Sequence, residues 1–316
     1  MYHSFYSINE EYHLENSLND FEYLLEDYKK KPPTLEEALM KLFQNAGLSQ
    51  KDSKDIYNNL NKMCSHKVNN NWNLICEKNE GISKEDALIL SSYTYEPENM
   101  YKDYSPYRLL NTSLVAKDRK KGVSNVEKYL FLFLRALRGL KRCKKNCLYR
   151  CLPNKVKLEK DLKDNKYIPY EKGNVKKFWG FTSTSDDEET SKRFLDDNGK
   201  GTEFIIVGGH LWGYDLTLFN VFDEKEIILE PERIYKVNDI TTKGDLTEIT
   251  LEIISNPESF LDICDTNIKC PKCGSKINQL FYCKYDEKIF DDVGIPWEER
   301  SERMCYDCGH MWSIYS

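Results

Sequence analysis

The sequence predicts an α+β protein in three parts: a helical amino-terminal portion, a β-rich middle and a small cysteine-stapled module at the end. Three observations carry this. Apolar residues recur at helical spacing through the first third of the chain. From Cys147 onward, short apolar runs of strand length replace them. Two Cys-x-x-Cys-Gly knuckles then close the sequence. A length of 316 residues fits two domains or one large one. A hydrophobic fraction of 40% with 13% aromatic residues supplies a core, and 31% charged residues point to a soluble protein. The net charge of −6 offers no overall electrostatic case for nucleic acid.

Leu14, Leu18, Phe21, Leu25 and Tyr28 predict one amphipathic helix, which Lys29-Lys30-Lys31-Pro32-Pro33 ends. Residues 1–33 are therefore read as a helical extension. Thr34 before Leu35-Glu36-Glu37 predicts a capped helix start carrying Leu39, Leu42 and Phe43. Ser53 to Met63 and Ser83 to Tyr93 read as further helices, and Asn69-Asn70-Asn71 between them as a loop. Lys117 to Lys145 is locally basic around Val126, Leu130, Leu134, Leu137 and Leu140. Its cations, Arg138 among them, are expected to form mostly the wet face of a helix, with a patch for an acidic partner as the alternative. Residues 34–145 form a helical lobe on this reading, 146–258 a β core and 259–316 the cysteine module.

The β core holds the informative residues. Glu224 and Glu226 stand two apart just before the apolar run Ile227-Ile228-Leu229. In extended backbone, positions i and i+2 face the same way, so both carboxylates look into one space with Lys225 turned out. Such a pair suits chemistry that builds positive charge on a sugar carbon and moves a proton nearby. A solvated strand end gives the same dipeptide pattern. Upstream lie Cys147-Leu148-Tyr149-Arg150-Cys151-Leu152, a short strand carrying one arginine, and Phe178-Trp179-Gly180-Phe181-Thr182-Ser183-Thr184-Ser185, an aromatic strand ending in hydroxyls. Ser185 before Asp186-Asp187-Glu188-Glu189 reads as a helix cap. Phe222, a lone aromatic beside a strand, reads as core in preference to an acceptor contact.

The order strand-arginine, Ser-Thr-Ser, then Glu-x-Glu resembles the arginine-specific mono-ADP-ribosyltransferases, the R-S-E class. Tyr93-Thr94 and Tyr107-Arg108-Leu109-Leu110-Asn111 resemble that family's helical-lobe signature. Ala136 to Leu140 resembles the helix before its first strand. Ile227 to Pro231 with Tyr235-Lys236-Val237 resembles its closing strands. The resemblance covers residues 83 to 255. It implies a helical lobe followed by a split mixed β-sheet that holds NAD, and NAD consumed as a substrate.

The resemblance also implies roles. Glu226 steadies the oxocarbenium-like ribose as nicotinamide leaves and holds a ribose hydroxyl. Glu224 orients an arginine acceptor and takes its proton, which guanidinium otherwise keeps at neutral pH. Arg150 offers planar donors to a pyrophosphate or ribose oxygen. Ser183 holds the Glu226 rotamer. NAD contacts are expected at Arg150, Cys151, Ser183, Thr184 and Glu226, with Arg150, Ser183, Glu224 and Glu226 as the catalytic set. Two departures stand out. Cys151 replaces a glycine common after the strand arginine, and Leu218-Phe219-Asn220-Val221-Phe222 lacks a serine often found there. The implied activity is NAD-dependent ADP-ribosylation of arginine in a protein. Its alternatives are transfer to nucleic acid or to a small guanidino compound, and a non-catalytic interaction module on the same fold.

The four knuckle thiolates, Cys270, Cys273, Cys305 and Cys308, predict a closed structural Zn²⁺ site. Thiolates that bind zinc imply a reducing, intracellular setting. Cys308-Gly309-His310-Met311-Trp312 resembles the zinc ribbon of transcription elongation factor S and RNA polymerase subunits. That likeness implies a docking partner in transcription machinery; a metal-stapled module for stability or protein contact is the preferred reading. The cysteines left over, including Cys143, Cys147 and Cys151, read as buried free thiols. Met1 to Tyr6 shows no secretory pattern, and the longest apolar run, Tyr129 to Leu134, falls far short of the roughly 20 residues of a membrane span.

Overall fold

The computed structural model describes residues 28, 31–97, 99–116, 119–153, 155–156, 170–222, 224–231 and 233–254. It also describes the backbone of three strands at 278–283, 300–305 and 311–314. No helix among the described residues is long and apolar enough to cross a membrane.

The lobe begins with α1 (Leu35–Asn45), α2 (Gln50–Lys78) and α3 (Lys84–Tyr93). Each start has a side-chain cap, because the first amides of a helix lack internal partners. Thr34 and Glu37 form a reciprocal capping box on α1, at 3.0 and 3.2 Å. The Ser49 hydroxyl accepts from the Asp52 amide and the Ser83 hydroxyl from the Asp86 amide. A 3₁₀ turn (Asn99–Tyr104) leads to α4 (Pro106–Leu114), where Pro106 opens the helix at a position needing no amide. The lobe ends with α5 (Arg119–Arg138).

Asn69, Asn70 and Asn71 lie inside α2, not in a loop. The buried stripe Ile56, Leu60, Cys64, Val68 and Ile75 continues through them, so burial overrides the weak helix preference of asparagine. Asn71 spends its amide on the Leu218 carbonyl, 3.2 Å away in the β region. The expected helix before Lys29 lies outside the described residues except for Tyr28. That residue packs on Phe131 and donates to Glu127 at 2.5 Å.

The β region forms two sheets. Strands β1 (Cys147–Leu152), β2 (Val175–Phe178), β4 (Gly201–Val207), β7 (Arg233–Lys243) and β8 (Leu246–Ile254) make a five-stranded sheet in the order β1-β4-β8-β7-β2. It is mixed: β4 and β8 run parallel and the other pairs antiparallel. Strands β3 (Thr182–Thr184), β5 (Gly213–Asp215) and β6 (Ile227–Leu229) make a three-stranded sheet in the order β3-β6-β5. Short helices α6 (Glu188–Lys192) and α7 (Gly209–Trp212) connect them. The predicted helical lobe followed by a split mixed sheet is thus the observed architecture.

The smaller sheet divides between two cores: Ile228 faces the lobe, whereas Ile227 and Leu229 pack with the five-stranded sheet. Phe181, Tyr214, Leu216, Phe219 and Ile228 of the smaller sheet region share a core with the lobe. Tyr93 stacks on Phe133 at 4.3 Å, and Phe181 meets Phe133 edge-on at 5.0 Å, so an aromatic cluster binds lobe to strand. Leu148, Phe204, Ile206, Tyr235, Val237, Ile249 and Leu251 form the second core, on the five-stranded sheet. The backbone also bridges the split: Tyr149 and Ser185 exchange two backbone hydrogen bonds of 2.8 Å. That link puts Arg150 beside the hydroxyl strand.

Several expectations need correction. Ser185 does not cap α6; Asp187 does, accepting from the Glu189 amide, while the Ser185 hydroxyl receives the Asp187 amide two residues earlier. Arg138 is not on a wet face. It is buried and paired with Glu230, because the end of α5 runs against the sheet. Cys64, Cys143 and Cys151 are buried free thiols as expected, whereas Cys76 and Cys147 are exposed.

At the chain end, β9 (Asn278–Cys283), β10 (Arg300–Cys305) and β11 (Met311–Ile314) form an antiparallel sheet in the order β11-β10-β9. Cys270, Cys273 and Cys308 lie outside the described residues, as does the side chain of Cys305. No metal-binding cluster of His, Cys, Asp or Glu occurs among the described residues.

Candidate active site

Glu226 is the centre of the site. It directly precedes β6, whose three residues are pinned between β3 and β5. Its own carbonyl accepts from the Leu216 amide at 2.8 Å, which ties it to the loop after β5. The residue is 9% exposed. Burial pushes its carboxyl above the ordinary 4.5; hydrogen bonds from Ser183 and Asn220 and the charge of Arg150 pull the other way. A carboxylate so held is in one place with its charge weakly screened, as a group must be if it is to steady developing positive charge.

Arg150 and Ser183 reach it from two strands. The Arg150 guanidinium donates through Nη1 to the Ser183 carbonyl at 2.7 Å. One residue of β3 therefore makes two contacts, its carbonyl fixing Arg150 and its hydroxyl fixing Glu226. Burial disfavours the charge of Arg150, while Tyr93, Tyr235 and Glu226 nearby favour it. A strongly basic guanidinium stays charged through such a shift, ready for an anionic oxygen.

Glu224 shares the space. It is partly buried, and its carboxyl is raised first by burial and then by the charges of Glu226 and Glu96. Lys225 is exposed and reaches Asp187 at 3.4 Å, so the outward turn expected of it is present. The pair comes from the irregular stretch before β6 and not from the strand itself.

Cys151 and Thr184 lie differently. Successive strand residues face opposite ways, and Cys151 packs on the far side of β1 against Ser191 of α6 and Glu203. There burial pushes its thiol up to about 12. What it presents toward the Arg150 side is backbone. Thr184 is buried and donates to the Ile227 carbonyl at 2.7 Å, which locks β3 onto β6. Phe222, expected in the core, is 36% exposed. It sits in a turn where the Asn220 side chain accepts from its amide, and that turn carries the ring outward.

Asn220 is the site residue that pattern reading passed over. Its Nδ2 donates to Glu226 Oε2 at 3.0 Å, and its Oδ1 accepts from the Phe222 amide at 2.8 Å. It thus supplies a polar partner to Glu226 from the segment that lacks the expected serine. It is buried, six residues before Glu226, and nothing in the local sequence pattern marks it. A donor to the charged form lowers a carboxyl pKa. Asn220→Ala is therefore expected to raise the Glu226 pKa further and to move the acid limb of any Glu226-dependent activity to higher pH. The pH–rate profile of the variant beside the parent checks this; coincident acid limbs would refute it.

Tyr93 and Asn111 complete the lobe side. The Tyr93 phenol is buried and hydrogen-bonds Asn111, whose Oδ1 also accepts from the Phe181 amide at 2.8 Å. Burial and then the Glu226 charge keep that phenol protonated. Both residues fall in the stretches singled out as lobe signature, and both abut the site.

No protein-family model and no curated protein matches the sequence. Several solved structures are similar in chain course. The type III effector XopAI from Xanthomonas axonopodis pv. citri aligns over 76% of this chain and 94% of its own, with 14% identity and a TM-score of 0.48. The eukaryotic mono-ADP-ribosyltransferase ART2.2, as a variant in complex with NAD, aligns over 75% of this chain and 90% of its own, with 19% identity and a TM-score of 0.47. The ADP-ribosyltransferase Vis, a toxin from Vibrio splendidus, aligns in complex with agmatine over 63% of this chain and 86% of its own, with 20% identity and a TM-score of 0.43.

Proposed function

We propose that this chain is an NAD-dependent mono-ADP-ribosyltransferase that transfers ADP-ribose to arginine in a protein and releases nicotinamide. One observation carries the reading. Ser183 and Asn220 hydrogen-bond a single buried carboxylate, Glu226, with Arg150 held nearby on the Ser183 carbonyl and a second carboxylate, Glu224, close enough to feel its charge.

The roles follow from that arrangement. When nicotinamide leaves, the ribose carbon gains positive charge, and Glu226 stabilises it without having to reorganise. Arg150 takes an oxygen of the NAD phosphate or ribose. Ser183 and Asn220 hold the Glu226 oxygens so that the carboxylate does not turn toward Arg150 and neutralise itself. Glu224 receives the acceptor guanidinium, a fork of donors that a carboxylate matches. Its raised pKa makes it a stronger base for the guanidinium proton as the nitrogen attacks the ribose carbon.

The test is transfer of labelled ADP-ribose from NAD to protein, with nicotinamide release measured alongside. Parent protein should release nicotinamide and label arginine. Glu224→Gln should still release nicotinamide but lose arginine labelling by roughly a hundred-fold, the usual worth of a positioned proton acceptor. Labelling of nucleic acid would replace the acceptor class. Neither release nor labelling, from folded protein, would leave a binding module in place of an enzyme.

A further inference from the structure

The two carboxylates of the site stand two residues apart but are held in different ways. Glu226 runs straight into β6 and takes hydrogen bonds from Ser183 and Asn220. Glu224 lies earlier, on the loop between β5 and β6, and no hydrogen bond from a described residue steadies its carboxylate. Its place is set by the backbone that leads to it, and that backbone is fastened to the lobe. Asn71 on α2 donates through Nδ2 to the Leu218 carbonyl at 3.2 Å. Phe219 is buried in the lobe core. The Val221 amide donates to the Thr94 hydroxyl at 3.1 Å. Past Glu224, the Lys225 ammonium meets Asp187 at 3.4 Å, but this pair is exposed and such pairs contribute little.

Thr94 makes two contacts with one hydroxyl. It directly follows α3, where the last carbonyls of a helix lack internal partners. The hydroxyl donates to the Ser91 carbonyl at 2.9 Å, which fixes its direction and leaves its lone pairs to accept from Val221. The residue is buried, so both contacts are shielded from water. A helix-end role accounts for the first contact and not for the second. The second, with the Asn71 contact, ties two lobe helices to the loop on either side of buried Phe219. Asn220 does not depend on this tether. Its amide is held by the Leu216 carbonyl at 2.9 Å, and the Leu216 amide by the Glu226 carbonyl. Glu226 and its Asn220 partner therefore stand on the base of the loop, and Glu224 stands between that base and the point the lobe holds.

We propose that Thr94 is a positioning residue for acceptor transfer: by holding the Val221 amide it fixes the loop that carries Glu224, and it takes no part in the cleavage of NAD. This rests on the transferase reading above, and the experiment separates the two. Nicotinamide release from NAD without acceptor, and ADP-ribose transfer to a peptide with a single arginine, are measured on the parent and on Thr94→Val, Thr94→Ser and Ser92→Ala. A parent that releases no nicotinamide, or releases it without labelling arginine, would overturn the arginine-transferase reading and this one with it. Valine keeps the shape of threonine and loses the hydroxyl. In Thr94→Val the ratio of transfer to release should fall about five-fold, the worth of one neutral hydrogen bond, with release itself unchanged. Serine keeps the hydroxyl, so Thr94→Ser should hold the parent ratio. Ser92 is a buried hydroxyl at the same helix end, bonded to the Ile89 carbonyl at 2.7 Å and to the Tyr129 phenol at 2.9 Å. Ser92→Ala should lower the melting temperature and leave the ratio at its parent value. Because each ratio is taken within one protein preparation, a reduced folded fraction cancels. An unchanged ratio in Thr94→Val, an equal fall of release and transfer, or a ratio that falls as far in Ser92→Ala would overturn the proposal while leaving arginine transfer standing.

Discussion

Glu226→Gln is expected to cut nicotinamide release by a hundred- to a thousand-fold while leaving the protein at least as stable as the parent. Glutamine keeps the size of the side chain and an oxygen that can accept from Ser183 or Asn220. What disappears is the charge. A preorganised group facing a developing cation is worth about 3–4 kcal/mol in the transition state, and that sets the expected loss. The stability half of the result follows from linkage. Burial raises the folded-state pKa of Glu226 above 4.5, against the opposing pull of Ser183, Asn220 and Arg150. A carboxyl with a raised pKa lends stability below its unfolded value and loses it as pH rises through the folded one. At neutral pH the charged side chain is therefore a cost to the fold, which the neutral amide removes. Nicotinamide release and thermal unfolding, measured on both proteins, check the two halves together. Retained release within a few-fold would mean that Glu226 is not the catalytic carboxylate, and a large fall in melting temperature would mean that its charge is structural. An active site that works against stability is a common cost of function.

How far the sequence revealed this arrangement depended on distance along the chain. Arg150 and Ser183 were legible as members of short strands, and Glu224 and Glu226 as a pair directly before one, because that context can be read from neighbouring residues. The helices at Leu35 and Lys84 were legible because their caps, Thr34 and Ser83, stand directly before the residues they serve, whereas the helix expected at Ser53 to Met63 begins behind Ser49 and runs to Lys78. Asn220 was not legible, since its role depends on a turn that points one end of the amide at Glu226 and the other at the Phe222 backbone. The same turn carries the Phe222 ring outward, where a composition rule for aromatics places it inside. The Asn69–Asn71 stretch misled for a different reason. Local propensity favoured a loop, but the buried stripe on α2 holds those residues in the helix. Arg138 was the furthest from reach: its partner Glu230 is 92 residues away, and only the fold brings them together.

That pair leads to the second large expectation: Glu230→Gln should destabilise the protein by about 3–5 kcal/mol, as removal of one member of a buried ionic network does. Glu230 is 1% exposed. Arg138 grips it with two donors, Nε to Oε1 at 3.1 Å and Nη2 to Oε2 at 2.8 Å. Arg233 adds a third at 3.1 Å, and the Tyr214 phenol a fourth at 2.8 Å. These donors come from α5, from β7 and from β5, so the carboxylate joins the lobe to both sheets. The rings of Tyr214 and Trp212 lie under the guanidinium groups of Arg142 and Arg233, at 3.8 and 4.1 Å. With glutamine in its place, Arg138 and Arg233 would be left facing a neutral amide in a buried site. For a chain of this size the melting temperature should fall by roughly 10 °C. The pH dependence gives an independent check on the cause. Burial alone would raise the Glu230 pKa, but the charges of Arg138, Arg233 and Arg142 outweigh it and hold the carboxyl down at about 2. A carboxyl with a lowered pKa stabilises above its unfolded value, and that stability is lost as pH falls toward the folded one. The parent should therefore lose about 3 kcal/mol between pH 4.5 and pH 2 on account of this one group. Glu230→Gln should lack that component, so the two stability curves should converge as acid is added. Parallel curves would show that the network does not titrate through Glu230. The position of this residue also bears on the site, because Glu230 and Glu226 flank the three residues of β6. One carboxylate is saturated with donors and anchors its end of the strand; the other is left short of a full ion pair. That division leaves a fully paired charge at one end of the strand and a less compensated one at the other.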